Sequence, residues 1–314
     1  MPRRKHDHDV VVSTTAQYLG HAKVTLKRGT ARSVSTGGYR PKRAGIGVAE
    51  SFPDTYIDPA KKYILVEERD KRFRLVGTAR VGKVKLRSRL RAQLGADNRV
   101  RITRTRVWPY SVQGHVIITY PDKKQYIGSG TMVNRHHVLT AGHVVFSKAN
   151  GGWATSVQFN AAQNDGTLPF GSAFATRLVS FKGWTDSQLR DYDTGMLILD
   201  RNLGDQTGWM GLITTSDGNL NGHEITVAGY PGDKGGQQLW AATAPIVSVS
   251  GHQIGYNAYT KGGDSGAGVY GLWSGFNLEH VCADHVAGPN GIPNTGSRLA
   301  RDKFDRIVNE WFPM

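Results

Sequence analysis

From residue 93 to residue 285 the sequence contains no long apolar run. Short apolar stretches stand instead at residues 115–120, 128–133, 137–139, 156–159, 177–181, 195–199, 224–228, 239–242, 246–249, 267–270 and 280–283. Turn-forming residues punctuate the gaps, and residues 160–167 are rich in Asn, Gly and Gln. Runs of this length between turn signals read as β-strands. So many in succession predict an all-β fold, either a sandwich or a barrel. The 39 glycines and 12 prolines suit a chain with that many turns. Residues 301–312 break the pattern. Phe304, Ile307, Val308 and Trp311 fall at i, i+3, i+4 and i+7, the apolar stripe of one amphipathic helix. No internal repeat of fixed period is visible.

A net charge of +15 raises the question of nucleic-acid binding. The charge is unevenly placed. Residues 1–92 hold 22 Lys/Arg against 8 Asp/Glu, whereas residues 93–314 hold 18 against 17. The excess belongs to a basic N-terminal extension, 1–92, and residues 93–314 are balanced as an ordinary folded domain is. Basic tails are most often solvated, so nucleic acid is not expected as a partner. Binding of an anionic polymer by residues 1–92 is kept as an alternative. Residues 1–50 lack sustained periodicity and are expected to be poorly ordered. Residues 63–66 and 72–76 read as short strands, and residues 81–90 alternate apolar and basic side chains. Lys or Arg at every second position from Lys83 to Arg91 also offers a site to a protease that cuts after basic residues.

The single cysteine, Cys282, excludes an intramolecular disulfide and reads as a small buried apolar residue. No stretch approaches 18 consecutive apolar residues, so no membrane-spanning helix is expected. The basic start is followed by an apolar run at 10–12 that ends at Ser13, too short for a signal peptide. Unconventional export, a start further upstream and an internal location all stay open.

Chemistry concentrates in three stretches. Residues 260–269 read Thr-Lys-Gly-Gly-Asp-Ser-Gly-Ala-Gly-Val, with Ser265 among glycines. A bare hydroxyl is a weak nucleophile, so Ser265 needs a base and an acid elsewhere. His143 ends Thr-Ala-Gly-His after the apolar run at 137–139 and offers the base. Asp193 precedes the apolar run at 195–199 and offers the carboxylate that would orient the base. Asp191 and Asp200 compete; Asp200 reads as a turn residue, and Asp191 would share a face with Asp193. The N–H groups of Gly263 and Ser265 would form an oxyanion hole, which needs the free φ of glycine at 263. His136 and His137 should point to opposite faces of a strand, and no metal or other cofactor is expected.

The order His, Asp, Ser, within Thr-Ala-Gly-His, Asp-x-Gly and Gly-Asp-Ser-Gly, resembles the trypsin-like serine proteases. Asp-Asn-Arg-Val-Arg-Ile-Thr at 97–103, Gly-Tyr-Pro-Gly-Asp-Lys at 229–234 and Asn-Thr-Gly-Ser-Arg-Leu at 294–299 narrow the resemblance to the bacterial glutamyl endopeptidases. It covers residues 94–314. It implies two six-stranded antiparallel β-barrels, a triad in the cleft between them and a C-terminal helix packed behind. Residues 1–92 would then be a propeptide, and residues 93–314 the protease domain.

The resemblance also implies a serine endopeptidase, secreted and monomeric, acting on proteins or peptides. Thr260 would supply a hydroxyl at the base of the primary pocket, and His285 would stand beside a substrate carboxylate, giving cleavage after Glu and less readily after Asp. Tyr259 stands where a trypsin-like pocket would want an acidic residue. Relatives often bracket the catalytic His with a disulfide; Ser129 and Val144 stand where those cysteines are expected. Asp264, before the nucleophile, is a candidate partner for a newly freed α-amino group. A non-catalytic homologue that serves as a binding module is the rival reading.

Overall fold

The computed structural model describes residues 10–12, 33–40, 64–66, 97–286 and 294–314. Its centre is two closed barrels of six strands each, the architecture that the resemblance implies. The first comprises β1 (Gln113–Thr119), β2 (Gln125–Met132), β3 (His137–Thr140), β4 (Ser156–Ala161), β5 (Ala173–Phe181) and β6 (Gly195–Leu199). The second comprises β7 (Glu224–Gly229), β8 (Trp240–Val249), β9 (Gln253–Tyr256), β10 (Gly268–Gly271), β11 (His280–His285) and β12 (Asn294–Arg298). Around the first barrel the order is β1-β2-β3-β6-β5-β4, closed by β4 on β1. Around the second it is β7-β8-β9-β12-β11-β10, closed by β10 on β7. The two circuits are topologically identical, although the sequence shows no repeat. Closure removes the sheet edges that would otherwise be open to pairing.

Register is the feature of the first barrel that matters for chemistry. β3 and β6 run antiparallel with Gly195 opposite Thr140. The end of β3 therefore lies beside the start of β6. Thr140 stands three residues before His143, and Gly195 two residues after Asp193, so this one pairing delivers both side chains to the same place. A slip of one residue would turn every side chain of β6 to the other face.

Residues 301–312 form the expected helix: Arg301–Arg306 is α-helical and Ile307–Trp311 continues it as a π-turn. Phe304, Ile307, Val308 and Trp311 are all buried. The Trp311 ring lies 4.6 Å from that of Phe181 at the end of β5, and its carbonyl is 3.1 Å from His137 Nε2 in β3. The helix thus covers the first barrel, and β6, a barrel strand, is buried at every residue.

Several expectations need correction. Gln253–Tyr256 and Asn294–Arg298 are barrel strands that the apolar pattern does not reveal, because a Gly interrupts each and the second is otherwise polar. The runs at 239–242 and 246–249 belong to one strand, β8. Pro245 opposes Glu224, the first residue of β7, so its missing N–H falls at the end of that ladder. Within residues 1–92 three described segments are paired. Val10–Val12 pairs with β5, and Ser33–Ser35 pairs with the connecting strand Gly211–Thr214 and with Ile64–Val66. The strands expected at 72–76 and 81–90 lie outside the described residues. The His136 and His137 rings lie 4.3 Å apart rather than on opposite faces, because β3 begins only at His137. The position facing Val144 is Gly128, not Ser129: a Cβ at Gly128 would stand 3.2 Å from Val144 Cγ2.

Trp311 is the largest fully buried side chain of the helix. Trp311→Ala is expected to lower stability by about 3–5 kcal/mol, because a cavity opens behind the first barrel. Urea unfolding would measure this, and an effect near zero would show that the helix is dispensable to the barrel.

Candidate active site

His143 sits in a single helical turn, Gly142–Val145, that follows β3. Its Nδ1 lies 3.0 Å and 3.2 Å from the two carboxylate oxygens of Asp193, and its backbone N–H donates to Asp193 Oδ1 at 2.8 Å. Of the three candidate acids, Asp193 is the one against His143. Asp191 accepts from the Gln253 amide, and Asp200 accepts from the Phe174 N–H at a turn. The Asp193 side chain is 5% exposed, whereas that of His143 is 31% exposed, so the ring faces the cleft and the acid does not. Burial alone would push the His143 imidazole down. The charge of Asp193 and its hydrogen bond outweigh this, and the ring ends above its ordinary value, with Arg190 opposing weakly.

Ser265 stands on the turn before β10. Its carbonyl accepts from the Ser129 N–H at 2.8 Å, and the Ser129 carbonyl accepts from Thr140 Oγ1 at 2.8 Å. These two bonds tie the nucleophile turn of the second barrel to the end of β3 in the first. Among the described residues no hydrogen bond joins Ser265 Oγ to His143; in free enzymes this bond is commonly long and closes with substrate. Gly263 has φ +104°, and a Cβ there would stand 2.4 Å from the Tyr230 carbonyl, so only glycine fits. The N–H groups of Gly263 and Ser265 take no acceptor among the described residues. They are available to a developing oxyanion.

Ser129 belongs to this site, and the sequence does not point to it. Its Oγ donates to the Gly263 carbonyl at 2.7 Å and accepts from the Tyr230 N–H at 2.9 Å. That grip fixes the Gly263–Asp264 peptide, which lies between the two peptides that carry the Gly263 and Ser265 N–H groups. No pattern could have singled it out, because its partners are backbone atoms more than 100 residues away in sequence.

His285 ends β11 beside the nucleophile turn. Its carbonyl accepts from the Gly266 N–H at 2.7 Å, and its N–H donates to the Ala267 carbonyl at 2.8 Å. Its ring nitrogen Nδ1 lies 2.6 Å from the hydroxyl of Tyr256. Burial pushes the Tyr256 phenol well above its ordinary range, so it keeps its proton. That proton, buried, has Nδ1 as its acceptor. The remaining imidazole proton of His285 therefore sits on Nε2. Burial, with a smaller effect from His143, pushes His285 down to about 3, so its ring is neutral in the free protein. Asp284 turns the other way and accepts from Thr194 Oγ1 at 2.7 Å. Thr260 is half-buried in the unpaired stretch between β9 and the Ser265 turn. Asp264 closes that turn by accepting from the Lys261 N–H at 2.9 Å, and burial raises its carboxyl to about 7.

Two barrels of identical topology, with a His–Asp pair from one facing a Ser turn from the other, define a trypsin-like protease. The family model described as Trypsin matches residues 100–285, and the chain belongs to the trypsin family of serine endopeptidases. Among curated relatives, a protein named extracellular metalloprotease from Bacillus subtilis is 34% identical over 215 residues, covering 68% of each chain. A glutamyl endopeptidase from Bacillus licheniformis is 30% identical over 227 residues, covering 70% of this chain and 69% of the relative. A solved Glu endopeptidase, in complex with MPD, superposes with a TM-score of 0.60 at 27% identity, covering 68% of this chain and 97% of that one.

The raised His143 sets the sense of the pH response. With the neutral ring as the candidate base, kcat/KM is expected to fall as pH drops through a value above the ordinary imidazole one. The stability effect runs oppositely: the protonated ring favours the fold below its unfolded value, and that contribution is lost as pH rises through the folded one. Asp193→Asn is expected to lower kcat by about 10⁴ and to move the acid limb to lower pH. A limb that does not move would separate His143 from Asp193.

Proposed function

We propose that this protein hydrolyses peptide bonds through a Ser265–His143–Asp193 triad. The observation that carries the reading is the Asp193–His143 pair at the β3–β6 junction, with the Ser265 turn bonded to that same junction. His143 would take the proton from Ser265 Oγ as it attacks the substrate carbonyl. The Gly263 and Ser265 N–H groups would receive the charge that develops on the carbonyl oxygen. His143 would then protonate the leaving amine, and a water would release the acyl group by the same path in reverse.

One relative carries a metalloprotease name, so the test must separate the two chemistries. A fluorophosphonate is expected to label Ser265 and abolish peptidase activity, and a chelator is expected to leave activity unchanged. Ser265→Ala should lose about 10⁶ in kcat. A failure to label Ser265 would return the protein to the binding-module class.

For specificity we propose cleavage after Glu, and less readily after Asp. The support is the His285–Tyr256 pair beside the nucleophile turn, together with two glutamyl endopeptidase relatives. With its proton on Nε2, His285 can donate to a substrate carboxylate, and a carboxylate beside the ring raises its affinity for a second proton. Thr260 would add a hydroxyl donor. Peptides that differ only at the residue before the cut are the test. His285→Leu should lose the preference for Glu by roughly 2–4 kcal/mol, since the carboxylate would be buried without a partner. Tyr256→Phe should weaken it less, by freeing the tautomer. Preference for Arg, Lys or aromatic residues would overturn the pocket and leave the triad standing.

We further propose that the chain is a precursor, cut between Arg87 and Gly95 and exported. The support is the change in charge at residue 92 and the extracellular relative. Asp97, at the start of the described domain, is already fixed: Arg99 binds both Asp97 and Asp233, and Asn98 accepts from the Tyr259 N–H. A new terminus would thus lie near the pocket wall, with Asp264 as a candidate partner for its amine.

A further inference from the structure

Residues 33–40 of the extension lie on the second barrel, along residues 209–214 that connect the two barrels. Ser33–Ser35 pairs antiparallel with Gly211–Thr214, Ser35 opposite Ile213 and Val34 opposite Thr214. The Thr36 N–H donates to the Leu212 carbonyl at 2.8 Å, and the Leu212 N–H donates to Thr36 Oγ1 at 2.8 Å. Tyr39 and Trp209 exchange both backbone bonds, at 2.7 and 2.8 Å. The Trp209 indole donates to the Gly37 carbonyl at 3.2 Å, and its ring lies 4.7 Å from that of Tyr39. Ser35 and Thr36 are each 2% exposed, as deep as core residues.

The fit is shaped from both sides. A Cβ at Gly211 would stand 2.2 Å from the Thr36 carbonyl and 2.6 Å from His280 Cδ2. A Cβ at Gly38 would stand 3.0 Å from the Gly211 nitrogen. The far edge of Gly211–Thr214 is already paired with β11, Gly211 opposite His280. Residues 33–40 therefore complete the open edge, and without them the Trp209 and Leu212 backbone groups would lose their partners. Among the described residues the contact is made of backbone bonds, a hydroxyl and two rings, and no ion pair joins them.

This edge is also remote from the chemistry. His280 is at the clasped end of β11 and His285 at the nucleophile end, about 17 Å apart at ~3.3 Å per residue. We propose that residues 33–40 are a β-strand clasp that stays on the 209–214 edge after the extension is cut from the protease domain. The processed protein would then be a two-chain complex rather than a free 93–314 domain. The proposal rests on the precursor reading only for the origin of the cut, and the test supplies its own.

The full chain carrying Ser265→Ala, with a recognition site for an added sequence-specific protease placed after Ala92, is cut and passed over a sizing column. The column runs in about 1 M salt, where charge attraction is screened within about 3 Å. The 1–92 fragment is expected to elute with the 93–314 domain. A synthetic peptide of residues 31–42 should displace it, and the same peptide carrying Gly38→Val should bind more than about tenfold more weakly, because the added side chain meets the Gly211 backbone. Separation of the fragments in high salt, failure of the peptide to displace, or equal displacement by the Gly38→Val peptide would each overturn the clasp. Because the protein carries Ser265→Ala, these outcomes are independent of whether the triad hydrolyses peptides.

Discussion

The Asp193 carboxylate, just before β6, is the group on which the placement of His143 depends. It is buried, and it accepts from both the backbone and the ring of His143. A carboxylate in that position is tolerable only while its partners are held in place. The Gly195–Thr140 register holds them, by laying the end of β3 against the start of β6. The proposed base, His143, is thus positioned by strand pairing rather than by a flexible loop. The acid is shielded by the same strands that form the barrel core.

Behind this pair the second barrel and the C-terminal helix make a polar support. Thr194, next to Asp193, lies 2.7 Å from Asp284 Oδ1 and 2.9 Å from Ser297 Oγ, which belong to β11 and β12. Lys303, fully buried on the helix, donates to Ser297 Oγ at 2.7 Å and to the Asp191 carbonyl at 2.8 Å. Burial lowers the Lys303 amine to about 8 and raises the Asp284 carboxyl, each disfavouring the charged form. Asp284 Oδ2 takes no partner among the described residues, and buried polar networks of this kind specify a single arrangement more than they add stability. Here the arrangement specified is that of residues 191–194. The helix that the sequence shows as an apolar stripe therefore also carries, at Lys303, a polar strut to the catalytic loop.

What the sequence reveals and what it hides follow from range. Most barrel strands are legible, because period and turn residues are local properties. His143, Asp193 and Ser265 are legible because each lies in a short stretch whose neighbours are small residues. Gln253–Tyr256 and Asn294–Arg298 are not legible as strands, since their pairing with each other supplies the stability that their own composition lacks. Ser129, Tyr256 and Lys303 stay hidden for a related reason. A serine is ordinary anywhere, and only the fold brings this one against Gly263. The docked residues 33–40 were hidden by their composition: Ser, Thr and Gly suggest a solvated tail, and here the same small residues permit close backbone approach.

Without cysteines at Gly128 and Val144, the turn that carries His143 must be held by other means, and the structure shows which. Tyr120, at the end of β1, donates toward the carbonyls of His143 and Val144 at 2.5 and 3.1 Å. The Ala154 N–H reaches the Val145 carbonyl at 2.9 Å, and the Trp184 indole reaches that of Phe146 at 3.0 Å. Four successive carbonyls, from 143 to 146, are thus capped by donors from three separate segments. A disulfide would act chiefly by restricting the unfolded chain. These bonds act on the folded state, directly on the peptide groups that orient the ring. Val144, freed from covalent duty, is buried against Gly128, and the absence of a Cβ at 128 lets β2 and the His143 turn approach without a bridge. The geometry of the His143 turn therefore depends on the hydrogen bonds of Tyr120 and Trp184.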